Sequence, residues 1–241
     1  MREEYLPHYN DRKTDIDMLM FHCSALSGEE ILHTLDSREL SSHYISDENA
    51  QIIKVVNEDK RAYHAGLGFW KGLDSDLNSH TIGIELSSFS LGQTPYTPQQ
   101  IQALITLSRE LIAKHHIRPD MIVGHSDTAP LRKADPGKAF PWQQLAQEGI
   151  GIWYKTEDAN QILSDNIPEL LNTIGYDTRS PQAIYASAYA FCRRFAPQFV
   201  HTDDNPLHLV DHILPDNFDF MNTPEFLQIL KSVTYSFSVN A

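Results

Sequence analysis

Cysteine is nearly absent from this chain of 241 residues: Cys23 and Cys192 are the only two, and they lie far apart. A pair so placed makes no disulfide framework, and both are expected as free thiols. Positive charge is also scarce. Nineteen lysines and arginines face 32 aspartates and glutamates, a formal charge of -13 that argues against nucleic acid or an anionic membrane surface as the main partner. No stretch approaches the roughly 18 apolar residues of a spanning helix, so no transmembrane segment is expected. The opening MREEYLPHYNDRKTDIDMLMF also lacks an uninterrupted apolar segment of the export-signal type. Repeats and low-complexity tracts are missing too. What remains is 41% hydrophobic, ordinary for a globular chain with a packed core.

The apolar runs come in two kinds. Residues 17–21 (DMLMF), 51–56, 81–86 (TIGIEL) and 121–123 read as strands, the first of them as a buried central one. Between them, Ser27 and Gly28 open a helix with Glu29 and Glu30 in its first turn, and Thr97, Pro98 and Gln100 form a capping-box start. Strands separated by helices predict an α/β fold with a mixed central sheet flanked by helices, spanning residues 1–154. After Trp153 the strand signals stop. Helix starts at Pro168, at Ser180–Pro181 and at Thr223–Pro224 predict a small three-helix C-terminal domain, 155–241, large enough to fold alone.

His22 follows one apolar run and His125 another. If those strands are neighbours, the two imidazoles converge at one sheet edge, with Asp135 arriving from the loop beyond. Two imidazoles and a carboxylate with an open fourth position make the ligand set of a catalytic zinc site. Spacing alone leaves this open, because twelve histidines are present and any one is more often a surface or core residue than a ligand. Cys23 adjoins His22, but neighbours on a strand point to opposite faces, which sends the thiol to the core. Glu85 is a carboxylate inside TIGIEL, costly to bury without a charged or hydrogen-bonding partner. The alternation of Ile82, Ile84 and Leu86 puts it on the other face, which is either a site or a solvated surface. The loop 123–142, VGHSDTAPLRKADPGKAFPW, carries His125, Lys133 and Asp135 just ahead of Pro136 and Gly137, more chemistry than a connection needs. His64, Phe69 and Trp70 in YHAGLGFW either line a binding groove or belong to the core, Arg132 either meets a carboxylate or is a solvated arginine, and His43 is expected to be structural or to support a neighbouring residue.

The segments MLMFHCSA, SSHYIS, AYHAG, HTIGIEL, PYTPQQIQALITL and VGHSDTAPLRKADPGKAFPWQQLAQEGIG occur in this order. With them, residues 6–153 resemble the zinc-dependent N-acetylmuramoyl-L-alanine amidases of the amidase-2, peptidoglycan-recognition-protein fold, in their AmiD-like branch. The resemblance implies Zn2+ held by His22, His125 and Asp135, Glu85 as proton carrier, Lys133 as oxyanion stabiliser, and Tyr44 near the site. The tail segment ELLNTIGYDTRSPQAIYASAYAFCRRFAPQFV resembles the peptidoglycan-binding module that follows the catalytic domain in that branch. It implies docking on wall glycan or one wall of the groove, with a merely stabilising appendage as the alternative.

The implied reaction is hydrolysis of the amide between N-acetylmuramic acid, or its 1,6-anhydro form, and L-alanine of the stem peptide, in cell-wall turnover or recycling. The implied partners are peptidoglycan or muropeptide fragments, and a monomer is expected. Two rivals remain: a non-catalytic peptidoglycan sensor of the same fold, and a zinc enzyme of that fold cutting another amide. The envelope is the expected location if the chain is a trimmed product, and the cytoplasm if its start is native.

Overall fold

The computed structural model describes residues 1–201 and 213–240. A six-stranded mixed sheet lies at its centre, built from β1 (Arg2–Glu3), β3 (Met18–Ser24), β4 (Tyr44–Ser46), β5 (Ile52–Lys54), β7 (Thr81–Ser87) and β8 (Ile122–Gly124). The strand order is β1-β5-β4-β7-β3-β8. β4, β7, β3 and β8 run parallel, and β5 pairs antiparallel with β4. A separate ribbon pairs β2 (Tyr9–Asp11) with β6 (Lys60–Ala62). β3 and β7 are almost wholly buried, which explains their near-continuous apolar sequences.

Register decides what faces what. His22 pairs with Glu85 and Phe21 with Ile84, while Phe21 also pairs with Gly124. Directly paired residues share a face, so Leu19, Phe21 and Cys23 lie with Ile82, Ile84 and Leu86 on one side, where Phe21 packs on Phe140 and Trp142. Met20, His22 and Ser24 lie with Gly83, Glu85 and Ser87 on the other. The expected neighbourhood of the strands bearing His22 and preceding His125 is therefore present. His22 sits within β3 rather than at its end, because Cys23 and Ser24 continue the ladder to Leu86 and Ser87.

The helices begin where their caps stand. α1 (Gly28–Ser37) has a capping box of Ser27 and Glu30, and α3 (Pro98–His115) has one of Thr97 and Gln100 with Pro98 in its first turn. α2 (Leu77–His80) leads into β7, α4 (His125–Thr128) continues from β8, and α5 (Trp142–Gln147) follows the loop. The three expected tail helices are α6 (Ile167–Ile174), α7 (Pro181–Phe195) and α8 (Pro224–Val239), capped by Asn166, Ser180 and Thr223. Residues 202–212 and 241 of the expected domain lie outside the described residues. The change at 154/155 is one of architecture and not of core: buried residues from Met18 to Phe237 form one apolar cluster. Among the described residues, no helix is long and apolar enough to cross a membrane.

Candidate metal centre and active site

Three lone-pair donors meet at the ends of β3 and β8. His22 Nδ1 lies 2.9 Å from His125 Nδ1 and 3.3 Å from Asp135 Oδ2, and His125 Nδ1 lies 3.2 Å from the same oxygen. β3 delivers His22 and the first turn of α4 delivers His125. Asp135 comes from the loop, tied back where Ser126 N–H donates to its carbonyl at 2.8 Å. Gly124 is required there: a Cβ on it would come within 2.6 Å of the Pro136 ring.

The hydrogen-bond network assigns the protons. Thr81 Oγ1 donates to Leu77 O (2.7 Å), so toward His64 Nε2 (3.1 Å) it accepts, and His64 carries its proton on Nε2. His64 Nδ1 is then an acceptor, and His22 Nε2–H donates to it at 3.0 Å. His125 Nε2–H donates to Ala65 O at 3.0 Å. Both Nδ1 atoms are left unprotonated, face to face, beside a carboxylate oxygen. Burial and neighbouring His125 hold the His22 imidazole down at about 4, so it is neutral near pH 7. Three converging lone pairs without a proton between them repel one another unless a cation joins them. Two nitrogens, each braced through the other nitrogen of its ring, and one carboxylate oxygen fit a divalent transition metal with one position left for substrate.

Glu85 stands beside this trio, its Oε1 4.0 Å from His22 Nδ1 and its Oε2 accepting from Ser24 Oγ at 3.2 Å. Only 13% of its side chain is exposed. Burial first and Asp135 second push its carboxyl up to about 8, against the opposing pull of Ser24 and Lys133. A cation among the ligands works in the same direction as Lys133. His22, His125, Asp135, Glu85 and Lys133 all line one open cavity of about 500 Å³.

Several sequence-predicted residues stand elsewhere. Tyr44 pairs with Ile84, so its ring is on the face opposite Glu85, where its hydroxyl donates to Glu58 at 2.6 Å. It is not part of the site. Trp70 is 0% exposed, donates from Nε1 to Asp120 O (2.9 Å) and meets Tyr176 edge-on at 5.1 Å. It belongs to the core and lines no groove. His64 does line the cavity, but both its ring nitrogens are engaged, by His22 and Thr81, so it braces a ligand. Arg132 borders the cavity with its guanidinium turned to the carbonyls of Ala65 (2.7 Å) and Leu67, where it shapes the loop that holds His125. Cys23 is buried, as expected, with Sγ toward Pro136 O at 3.5 Å.

Sequence reasoning missed Thr81, Gly83 and Asn78. Thr81 and Gly83 share the Glu85 face by simple alternation, and a Cβ on Gly83 would sit 2.6 Å from the His64 ring. Asn78 Oδ1 accepts from the backbone of His64 and Ala65, at 3.1 and 2.7 Å, which fixes the bracing loop.

Comparison with known proteins agrees with this geometry. Residues 12–138, more than half of the chain, match the amidase-2 family model, described as N-acetylmuramoyl-L-alanine amidase. The chain is 37% identical over 209 residues to the N-acetylmuramoyl-L-alanine amidase AmiD of Escherichia coli, covering 76% of this chain and 75% of that protein. It is 39% identical over 106 residues to the 1,6-anhydro-N-acetylmuramyl-L-alanine amidase AmpD of Enterobacter cloacae, covering 44% and 55%. A solved structure of the E. coli AmiD enzyme, in complex with the substrate anhydro-N-acetylmuramic acid-L-Ala-D-γ-Glu-L-Lys, superposes with a TM-score of 0.73 at 30% identity. That likeness covers 95% of this chain and 91% of the other. By sequence, fold and the residues gathered at the sheet edge, the chain belongs to the N-acetylmuramoyl-L-alanine amidases, hydrolases of the bond between muramic acid and L-alanine.

Proposed function

We propose that the chain is a zinc amidase of muropeptide fragments, 1,6-anhydro forms included, with His22, His125 and Asp135 as the metal ligands. The observation that carries the reading is the convergence of three unprotonated donors beside a buried carboxylate on one cavity. Their nitrogen and oxygen character favours zinc over calcium or magnesium, which take oxygen ligands. The chemistry zinc supplies when bound is polarisation of the amide carbonyl and acidification of water.

The chain's own residues do the rest. Glu85 accepts a proton from the attacking water and returns it to the departing alanine nitrogen as the C–N bond breaks. A carboxyl raised by burial is suited to both halves of that exchange near neutral pH. Lys133, on the lining of the same cavity, stabilises the oxygen on which negative charge develops, a type of contact worth about 3 kcal/mol in the transition state. His64 and the Ala65 carbonyl hold the two imidazoles so that Nδ1, and not Nε2, faces the substrate side. The products are a lactyl carboxylate on the sugar and a stem peptide with a free L-alanine amine. The substrate-bound AmiD relative supports a fragment with an anhydro sugar as substrate.

Dialysis against a chelator is expected to abolish cleavage of an anhydro-muropeptide, and one equivalent of Zn2+ to restore it where Mg2+ and Ca2+ do not. Turnover that survives complete zinc removal contradicts the assignment.

A further inference from the structure

The second metal ligand is buttressed from the tail. Asp127, two residues after His125, is buried and accepts three hydrogen bonds: from Gly124 N–H (2.8 Å), Tyr176 Oη (2.7 Å) and Arg194 Nη1 (2.9 Å). Its side chain and that of Arg194 are each 1% exposed. The Gly124 bond closes the turn in which α4 starts at His125. Arg194 also donates to Ile122 O (3.0 Å), in the strand that ends at this turn, and lies over the Trp142 ring at 4.1 Å. Tyr176 and Arg194 come from beyond residue 155, whereas every other partner comes from the sheet region.

We propose that Arg194 and Tyr176 are positioning residues for the metal centre, acting through Asp127 to set the turn that presents His125 and Asp135. The path is short and covalent for most of its length. Asp127 fixes the residue before His125 and, through α4, the backbone of Ser126 that holds the Asp135 carbonyl. Ala129, the residue that caps α4, accepts Lys133 N–H on its carbonyl at 3.0 Å. Three site residues thus hang on one turn, and that turn is clamped by a buried ion pair across the tail interface. A guanidinium suits the position because its fork reaches the carboxylate and the Ile122 carbonyl together, which a lysine ammonium cannot do in the same geometry. The tail then has a part in catalysis that needs no glycan contact at all.

The inference rests on the metal reading above, and one experiment separates the two. Zn2+ affinity is measured by competition with a chromophoric chelator, beside Tm, for the wild type and for Arg194→Met, Arg194→Lys, Tyr176→Phe and Phe226→Leu. Phe226 is a buried tail residue that packs on Phe191 and Phe220. Arg194→Met is expected to weaken Zn2+ binding roughly 10- to 100-fold, the range for partners that orient metal ligands. Arg194→Lys is expected to recover part of that loss. Phe226→Leu should lower Tm while leaving Zn2+ affinity unchanged. Tyr176→Phe deletes one hydrogen bond and keeps the ring, so it tests the path if Arg194→Met does not fold, and it should weaken binding several-fold. Zn2+ affinity within two-fold of wild type in Arg194→Met, or in Tyr176→Phe where Arg194→Met does not fold, overturns the proposal and leaves the metal site standing. A wild type that binds no Zn2+ overturns both.

Discussion

Glu85→Gln is expected to retain its zinc and lose activity by roughly 10²- to 10⁴-fold, the range for removing a general acid–base group. The separation follows from distance. Glu85 Oε1 is 4.0 Å from His22 Nδ1, outside the trio of donors that lie 2.9 to 3.3 Å apart, so the amide replacement leaves every ligand and its brace in place. Glutamine keeps the shape and can still take the Ser24 hydrogen bond, but it cannot accept and return a proton. His125→Ala is expected to lose metal and activity together, because it removes one of the three ligands together with its anchoring bond to the Ala65 carbonyl. Zinc content by atomic emission and initial rates on an anhydro-muropeptide read both variants. A Glu85→Gln enzyme within ten-fold of wild type would sink the assigned proton transfer.

Trp70→Ala is expected to be the most destabilising single change on the sheet side of the molecule. The indole is 0% exposed, meets Tyr176 at 5.1 Å and Phe237 at 6.5 Å, and gives its N–H to Asp120 O. Truncation removes the ring from the contact between sheet region and tail and leaves a buried carbonyl unpaired, a loss of about 3–5 kcal/mol. For a chain of this size that corresponds to a Tm lower by roughly 6–20 °C. KM for a muropeptide should stay close to wild type at temperatures where the variant is folded. A raised KM with an unchanged Tm would return Trp70 to the substrate groove.

These two residues also show what the sequence carried and what it did not. His22, His125 and Glu85 stood out because each breaks an apolar pattern: a histidine follows each of two buried runs, and a carboxylate interrupts TIGIEL; Asp135 lies in a polar loop, and its place beside them came from the family resemblance. β3 and β7 are long and apolar, so their positions could be read, whereas which strands are neighbours entered only as a condition. Tyr44 was expected near the site from the family resemblance alone, and the residues offered no check on it, because its strand, Tyr44–Ser46, has only three residues and follows Ser41, Ser42 and His43, which hide the pattern. Without that strand there is no register, and a one-residue difference in register moves a side chain to the opposite face. Trp70 was misread for another reason, since an aromatic ring suits a core and a sugar-binding surface equally well. The His64 brace depends on a contact 42 residues away and the Asp127 clamp on one 67 residues away, and neither distance has a local signature. The helix caps at Ser27, Thr97, Ser180 and Thr223 are local, and all four stand where the sequence put them.

Cleavage of the amide between muramic acid and L-alanine leaves a product signature of its own. Mass spectrometry of the products formed in H2¹⁸O from a defined anhydro-muropeptide tests it most directly. The expected products are an unlabelled stem peptide beginning with a free L-alanine amine and a released sugar with a single ¹⁸O in its lactyl carboxylate, neither formed after zinc removal. Label in a peptide carboxylate, with alanine still attached to the sugar, would show a different bond being cut and would contradict the account.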